Sequence, residues 1–254
     1  MTSSLIVEAK QICVPGETIA KGMDFLPAQG TSREGENIIS NKLGMVNVNG
    51  RLISVIPVSG KYIPKRGDTI IGQVFDVTMS GWRVNINCAY AAMLMLREAT
   101  NEFVPRNQDL TRIFNFGDLM IAKIENVTSQ NLIDLTLKDQ GLRKIQGGQT
   151  IKVTPSKVPR IIGKKGSMVS MIKKATKARI IVGQNGLVWI SAEDPSMELL
   201  ALNTIKKIEE NAHISGLTDK IKEYLEEIVG PINFDENEHE NASEEQTGEN
   251  NEQQ

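Results

Sequence analysis

Cysteine and histidine are scarce in this 254-residue chain, which holds two of each: Cys13, Cys88, His213 and His239. That scarcity excludes a disulfide-framework fold, and it leaves too few ligands for a four-ligand zinc site because His239 sits in a polar terminal stretch. Neither a metal nor any other cofactor is expected. The two cysteines are open to two readings, one Cys13–Cys88 bridge or two reduced packing thiols. Aromatics are equally sparse at 4%, and the longest run free of charged and strongly polar side chains is Ala89 to Leu96. A membrane-spanning helix needs about 18 such residues, so no span is expected. Met1 to Glu8 lack a basic start followed by an apolar stretch, which sets the expectation of a cytoplasmic protein. Glycine (21) and proline (9) are near average, excluding collagen-like and wholly disordered chains. A hydrophobic content of 40% over this length suits two or three modest domains.

The net charge of −2 conceals two opposite segments. Residues 231–254 hold eight of the 31 acids and no Lys or Arg, so residues 1–230 carry 29 basic against 23 acidic side chains, a net of +6. Within them, residues 140–192 contain eleven Lys and Arg and no Asp or Glu. Such a stretch is either a solvated positive face or a footprint for a polyanion. The terminal stretch from Pro231 is rich in Glu, Asn and Gln with almost nothing to bury, so it is expected to be a disordered acidic tail. Two roles are open to it, simple solubilisation or competition with a polyanion for the basic face.

The pattern divides the chain into four parts. Residues 1–64 read as a small β domain of short strands broken by turns, with the alternation Met45-Val46-Asn47-Val48 running into an Asn49-Gly50 hairpin signal. Residues 65–146 give five strand signals, Thr69–Val77, Trp82–Ile86, Tyr90–Leu96, Leu119–Ile124 and Leu132–Leu137, with a long connection from Arg97 to Phe116. That suits a small Greek-key barrel of the OB type. In residues 147–230 the order becomes strand (Thr150–Thr154), short helix (Val158–Ile162), Gly163-Lys164-Lys165-Gly166, helix (Ser167–Thr176), a hairpin about Asn185-Gly186, and two further helices. The first of those opens on Asp194-Pro195 and turns Leu199, Leu202, Ile205 and Ile208 to one side; the last spans Thr218–Val229. The fold class is therefore multidomain, a β-rich N-terminal half followed by an α+β unit.

Strand, helix, Gly-x-x-Gly, helix, strand, strand, helix is the element order of a KH domain. The chemistry of the motif is specific: two glycines let the backbone approach a phosphodiester, the following helix presents its positive end, and two lysines add charge. Unstacked bases then lie on the apolar groove between helix and strand. A second motif of the same spacing, Gly183-Gln184-Asn185-Gly186, reads as a structural hairpin turn.

Residues 5–230 resemble the S1/KH-type RNA-binding cap subunit of the archaeal exosome. The resemblance rests on Val14-Pro15-Gly16-Glu17, the stretch Val55 to Pro64, Gly67-Asp68-Thr69-Ile70-Ile71-Gly72, Gly81-Trp82, Val158-Pro159-Arg160-Ile161-Ile162-Gly163, Asn185-Gly186 and His213 to Thr218. It implies a non-catalytic subunit, present in three copies, that caps a hexameric ring of RNase PH-like proteins. Its implied task is to guide 3′ ends of single-stranded RNA, adenine-rich tails preferentially, into the pore of that phosphorolytic ring. The candidate RNA contacts are Arg160, Gly163, Lys164, Lys165, Gly166 and Lys173 in the KH unit, with Trp82, Arg83, Arg97, Arg106 and Arg112 in the barrel. Barrels of this class often carry aromatics on both sides of the glycine that opens the second strand; here the neighbours are Ser80, Trp82 and Arg83. Trp82 has two readings, a platform for a base or a packed side chain.

Catalysis is not expected. The body has no Asp-x-Asp or Asp-x-Glu cluster on an apolar strand to hold metal ions, and its single histidine, His213, sits at a helix end. The alternative to a cap subunit is a free-standing KH/OB regulator of translation or RNA stability, which would behave as a monomer without a nuclease ring.

Overall fold

The computed structural model describes residues 4–100, 105, 109–212, 214 and 216–230. Arg106, His213 and the acidic stretch 231–254 lie outside the described residues. Eight short strands open the chain: β1 (Ser4–Leu5), β2 (Ile12–Cys13), β3 (Thr18–Lys21), β4 (Leu26–Pro27), β5 (Thr31–Glu34), β6 (Asn37–Ser40), β7 (Gly44–Asn49) and β8 (Leu52–Pro57). They form two four-stranded sheets, β1-β3-β6-β5 and β2-β7-β8-β4, around a core that includes Cys13, Ile19, Ile38, Val46, Ile53 and Val55. Both cysteines are free thiols. The β7–β8 hairpin forms as the alternation requires, but Asn49 pairs with Leu52, so the turn residues are Gly50 and Arg51. Gly50 takes φ +61 at the first turn position, where glycine matches the twist of the flanking strands; Asn49 is thereby the last residue of the strand.

Five strands close the barrel: β9 (Thr69–Thr78), β10 (Gly81–Asn85), β11 (Ala91–Met95), β12 (Leu119–Val127) and β13 (Ile133–Thr136). β9 runs antiparallel to β10 and β12, β10 antiparallel to β11, and β13 shuts the circle, parallel to β11 and antiparallel to β12. A sixth strand, β14 (Arg143–Ile145), extends the sheet beside β12. Three residues with two charges carry no strand periodicity, which is why the pattern misses it. Helix α1 (Leu96–Ala99) follows β11.

The KH unit consists of β15 (Gln149–Lys152), α2 (Val158–Ile162), α3 (Ser167–Thr176), β16 (Arg179–Val182), β17 (Leu187–Ser191), α4 (Pro195–Glu210) and α5 (Leu217–Val229). Its sheet, in the order β15-β17-β16, is wholly antiparallel and packs against α3 and α4, with α5 packed on those two helices. Met168, Met171, Ile172 and Ala175 of α3 are all buried, and Asp194 caps α4 by accepting from the Ser196 N–H at 2.9 Å. The expected apolar stripe of α4 needs correction. Leu199 is 57% exposed, while Leu200, Ala201, Ile205 and Ile208 are buried. At about 100° per residue Leu199 lies roughly opposite Ile208, so both cannot face the sheet.

Barrel and KH unit share a core of their own, in which Ile71, Ile121 and Ile145 meet Leu187 and Trp189. The turn Gly183–Gly186 is backed onto β9 at this seam. Pairing of β9 with β10 stops at Gln73 and Asn85, so Ile71 lies past its end. Fully buried Asn185 stands there in place of a strand: its Nδ2 donates to Ile71 O (2.7 Å) and Ile86 O (2.9 Å), and its Oδ1 accepts from Ile71 N–H (3.3 Å). The Gln184 N–H donates to Thr69 O at 2.9 Å. A Cβ on Gly183 would sit 2.9 Å from Ile71 N, so glycine is required by the closeness of the two units. The turn is structural, as its composition suggests, and joins two domains as well as two strands. Among the described residues no helix is long and apolar enough to cross a membrane.

Candidate nucleic-acid interface

Gly163–Gly166 is a bend between two helices built from left-handed backbone. Gly163 ends α2 with φ +77, and a Cβ there would come within 2.7 Å of Met168 N and Cβ. Lys165 is itself left-handed (φ +52), and Gly166 (φ +80) precedes α3 at its N-cap. Consecutive turns of opposite hand gather backbone N–H groups into a concave, electropositive surface. No side chain caps α3, so its positive end opens onto this bend. Lys164 and Lys165 are exposed on either side of it. Arg160 on α2 and Lys173 on α3 are exposed too, Lys173 about 9 Å along the helix axis from Ser167. The structure thus brings the six KH candidates onto one pair of helices around one cradle.

The barrel candidates fare differently. Trp82 is fully buried: its Nε1–H donates to Phe114 O at 3.0 Å and its ring meets Phe114 edge-on at 5.4 Å. It is the largest side chain of the barrel core, a packed residue and not a base platform. Stacking on it would require opening the barrel. Arg83 on β10 is exposed, with Asp76 at 3.8 Å across the strand pair. Arg97 is exposed with Glu98 at 3.6 Å, and Arg112 is exposed at the end of a 3-10 turn. The Arg83–Asp76 pair, solvent-facing on both sides, is weak enough to exchange for phosphate.

Sequence also overstates the basic stretch. Lys144 is engaged with Asp118 Oδ2 and lies over the Phe114 ring, so a segment without acids in sequence meets one in space. Arg83 pairs with Asp76, some five residues along β9 from the seam at Ile71, or about 17 Å. The candidates thus form two sets, one on the barrel and one on the KH unit. No group of three or more His, Cys, Asp or Glu suited to a metal ion occurs among the described residues.

Three exposed aromatics are not flagged by the sequence, Phe75, Tyr90 and Phe116, and the first two lie together. Phe75 (47% exposed) and Tyr90 (48% exposed) line one hollow on the barrel surface. Their signal in the sequence was positional: Phe75 falls on the outward phase of β9 between Val74 and Asp76, and Tyr90 stands at the start of the next apolar run.

A family model for the KH domain matches residues 148–196, and one described as the S1 domain of RRP4 matches residues 61–126. The chain is 44% identical over 224 residues to the exosome complex component Rrp4 of Pyrococcus furiosus, covering 87% of this chain and 84% of that one. It is 41% identical to the same component from Methanothermus fervidus, with 87% and 97% covered. A crystal structure assigned to an exosome complex RNA-binding protein superposes with a TM-score of 0.60 at 33% identity, covering 66% of this chain and 97% of that one.

Proposed function

The chain belongs to the Rrp4 family of exosome complex components, and on that premise we propose that it guides single-stranded RNA into a phosphorolytic ring. It is an RNA-binding component of the exosome and not a catalytic one. In the proposed assembly three copies cap a hexameric ring of RNase PH-like subunits in the cytoplasm and direct 3′ ends, adenine-rich ones preferentially, into its pore. Three units divide the work: residues 1–64 meet the ring, while the barrel (65–146) and the KH unit (147–230) meet RNA.

The observation that carries the RNA assignment is the cradle. Left-handed backbone at Gly163, Lys165 and Gly166, an uncapped helix start and two exposed lysines are arranged for a phosphate rather than for packing. Arg83, Arg97 and Arg112 supply further electrostatic contacts, and Arg106, outside the described residues, is proposed as another RNA contact. Support for ring contact comes from the outer face of the N-terminal sheet, where Ile12, Met45 and Ile56 lie in one cross-strand row and are 64%, 37% and 49% exposed. An uncovered apolar row is a feature of a protein interface.

The test is purification of the tagged chain from its own cells, with partner identification, alongside binding of oligoadenylate by the isolated chain. Co-elution with RNase PH-like subunits and salt-dependent binding of single strands are expected. A monomer that binds RNA without a ring would make it a free-standing regulator.

A further inference from the structure

Beside the two basic sets lies a feature that neither uses. Pairing of β9 and β10 slips between Arg83 and Val84, so Phe75 is the extra residue of a β-bulge. Bulges re-aim side chains, and this one leaves the Phe75 ring facing solvent. Tyr90 faces the same hollow, of about 270 Å³, whose floor includes Asn85. The loop that presents Tyr90 is held at several points. Asn87 is left-handed (φ +59), and its N–H donates to Asn85 Oδ1 at 3.0 Å. Its side-chain Nδ2 donates to Asn185 O at 2.9 Å, fastening the loop to the KH unit. The Cys88 thiol, kept protonated by burial, donates to Tyr90 O at 3.0 Å. The loop of Tyr90 is thus fixed in place, and both aromatic rings are about half exposed.

Their position matters as much as their exposure. Asn85 pairs with Gln73, between Arg83 on one side and the seam at Ile71 on the other, so the hollow lies between the barrel arginines and the KH unit. Across Tyr90 an adjoining cavity of about 340 Å³ adds Lys42 and Lys61 and no carboxylate among its described lining residues. Asn85 is exposed and its Oδ1 accepts from the Asn87 N–H, which leaves its NH2 group as a donor. Aromatic faces, an amide donor and neighbouring ammonium groups make up the chemistry of an unstacked nucleobase with its phosphate.

We propose that Phe75 and Tyr90 form a stacking subsite for an unpaired nucleobase of single-stranded RNA, with Lys42 and Lys61 toward the adjoining phosphate. The proposal rests on the RNA-binding reading above. It also accounts for the missing aromatics at Ser80 and Arg83: the stacking surface of this barrel sits toward the other end of the β10–β11 ribbon.

The test uses the full chain and two twelve-nucleotide probes, oligoadenylate and the same sugar-phosphate backbone without bases. Tyr90→Ala and Phe75→Ala should each weaken oligoadenylate binding roughly 5- to 150-fold, the range for loss of one stacked base. Tyr90→Phe should bind as the wild type does. The base-free probe should not distinguish the variants, and the slope of affinity against salt should stay unchanged because no phosphate contact is lost. Photocrosslinking of 5-iodouridine-substituted RNA to the unmodified protein provides a readout without substitution, with Tyr90 or Phe75 the expected adduct. Wild-type binding that is tight and salt-dependent, together with unaltered binding by both alanine variants or crosslinks confined to the cradle, would overturn the subsite and leave the RNA-binding reading intact. Alanine variants that bind RNA normally but lose the ring would reassign the hollow to a protein contact. A wild-type chain that binds neither probe would remove the underlying reading and the subsite with it.

Discussion

Replacing Asn185 with alanine isolates the seam between barrel and KH unit from every RNA contact. The side chain is fully buried and makes three hydrogen bonds, to Ile71 O, Ile86 O and the Ile71 N–H. Asn185→Ala leaves two carbonyls and one amide without partners in a place shielded by Leu187 and Trp189. Each stranded buried group costs about 1 to 3 kcal/mol, and water admitted to the vacated space offsets part of the sum, so a loss of about 3 to 5 kcal/mol is expected. For a chain of this size that lowers the melting temperature by roughly 6 to 20 °C. Because the lost bonds cross between two units, the single unfolding transition should also broaden or split. Asn185→Asp should be worse than alanine, since a carboxylate would face two carbonyl oxygens. The assay is thermal unfolding followed by circular dichroism, with calorimetry to count transitions. A shift of 2 °C or less with one sharp transition would refute the account of the seam.

Three further outcomes follow from other parts of the structure. Lys164→Asp with Lys165→Asp keeps both cradle glycines, so the fold should survive while affinity for single-stranded RNA falls by about 1 to 3 kcal/mol, measured by anisotropy; unchanged affinity would take the cradle out of the RNA site. Trp82→Ala should cost about 3 to 5 kcal/mol in denaturant unfolding, as expected for a core aromatic, whereas an RNA defect at unchanged stability would restore the base-platform reading. Tyr62 is raised well above the ordinary tyrosine range, first by burial and then by its hydrogen bond to Asp68 and that carboxylate's charge. Its folded form holds the proton that the unfolded chain releases near pH 10, so its contribution to stability is complete below about pH 10 and declines as pH rises beyond it. Tyr62→Phe should flatten that alkaline decline in denaturant melts, and identical slopes would show that Tyr62 does not set it.

Legibility in the sequence followed the range of the interactions. The helix after Gly163-Lys164-Lys165-Gly166 was readable to its ends because its buried positions 168, 171, 172 and 175 repeat at the helical period, and the glycines declare their backbone. The barrel strands were readable as alternation, but which face was inside was not, and that is where Trp82 misleads. A tryptophan beside a glycine at a strand start reads equally as platform or core until the phase of its neighbours is used. Val84 and Ile86, two and four residues on, are both fully buried and share its side of the strand. Charge was the least legible property, since pairing of Lys144 with Asp118 joins residues 26 apart through a strand the pattern does not contain.

The two Gly-x-x-Gly segments show why motif spacing alone assigns no role. Both have glycines three apart, and both are forced by close approach: Gly163 against Met168, Gly183 against Ile71. What differs is the pair between the glycines. Two lysines point into solvent at 164 and 165, where a following helix starts uncapped, and that combination suits a phosphate. At 184 and 185 the pair includes an asparagine, the side chain that carries both a donor and an acceptor in the geometry of a peptide unit. Buried beside the edge of β9 that β10 leaves unpaired, it takes the place of a strand and welds the hairpin to the barrel. Here the 184–185 turn is consumed by the seam with the barrel. The surface the barrel presents next to that seam runs through Asn87 to Tyr90 and Phe75, the subsite proposed above for a nucleobase.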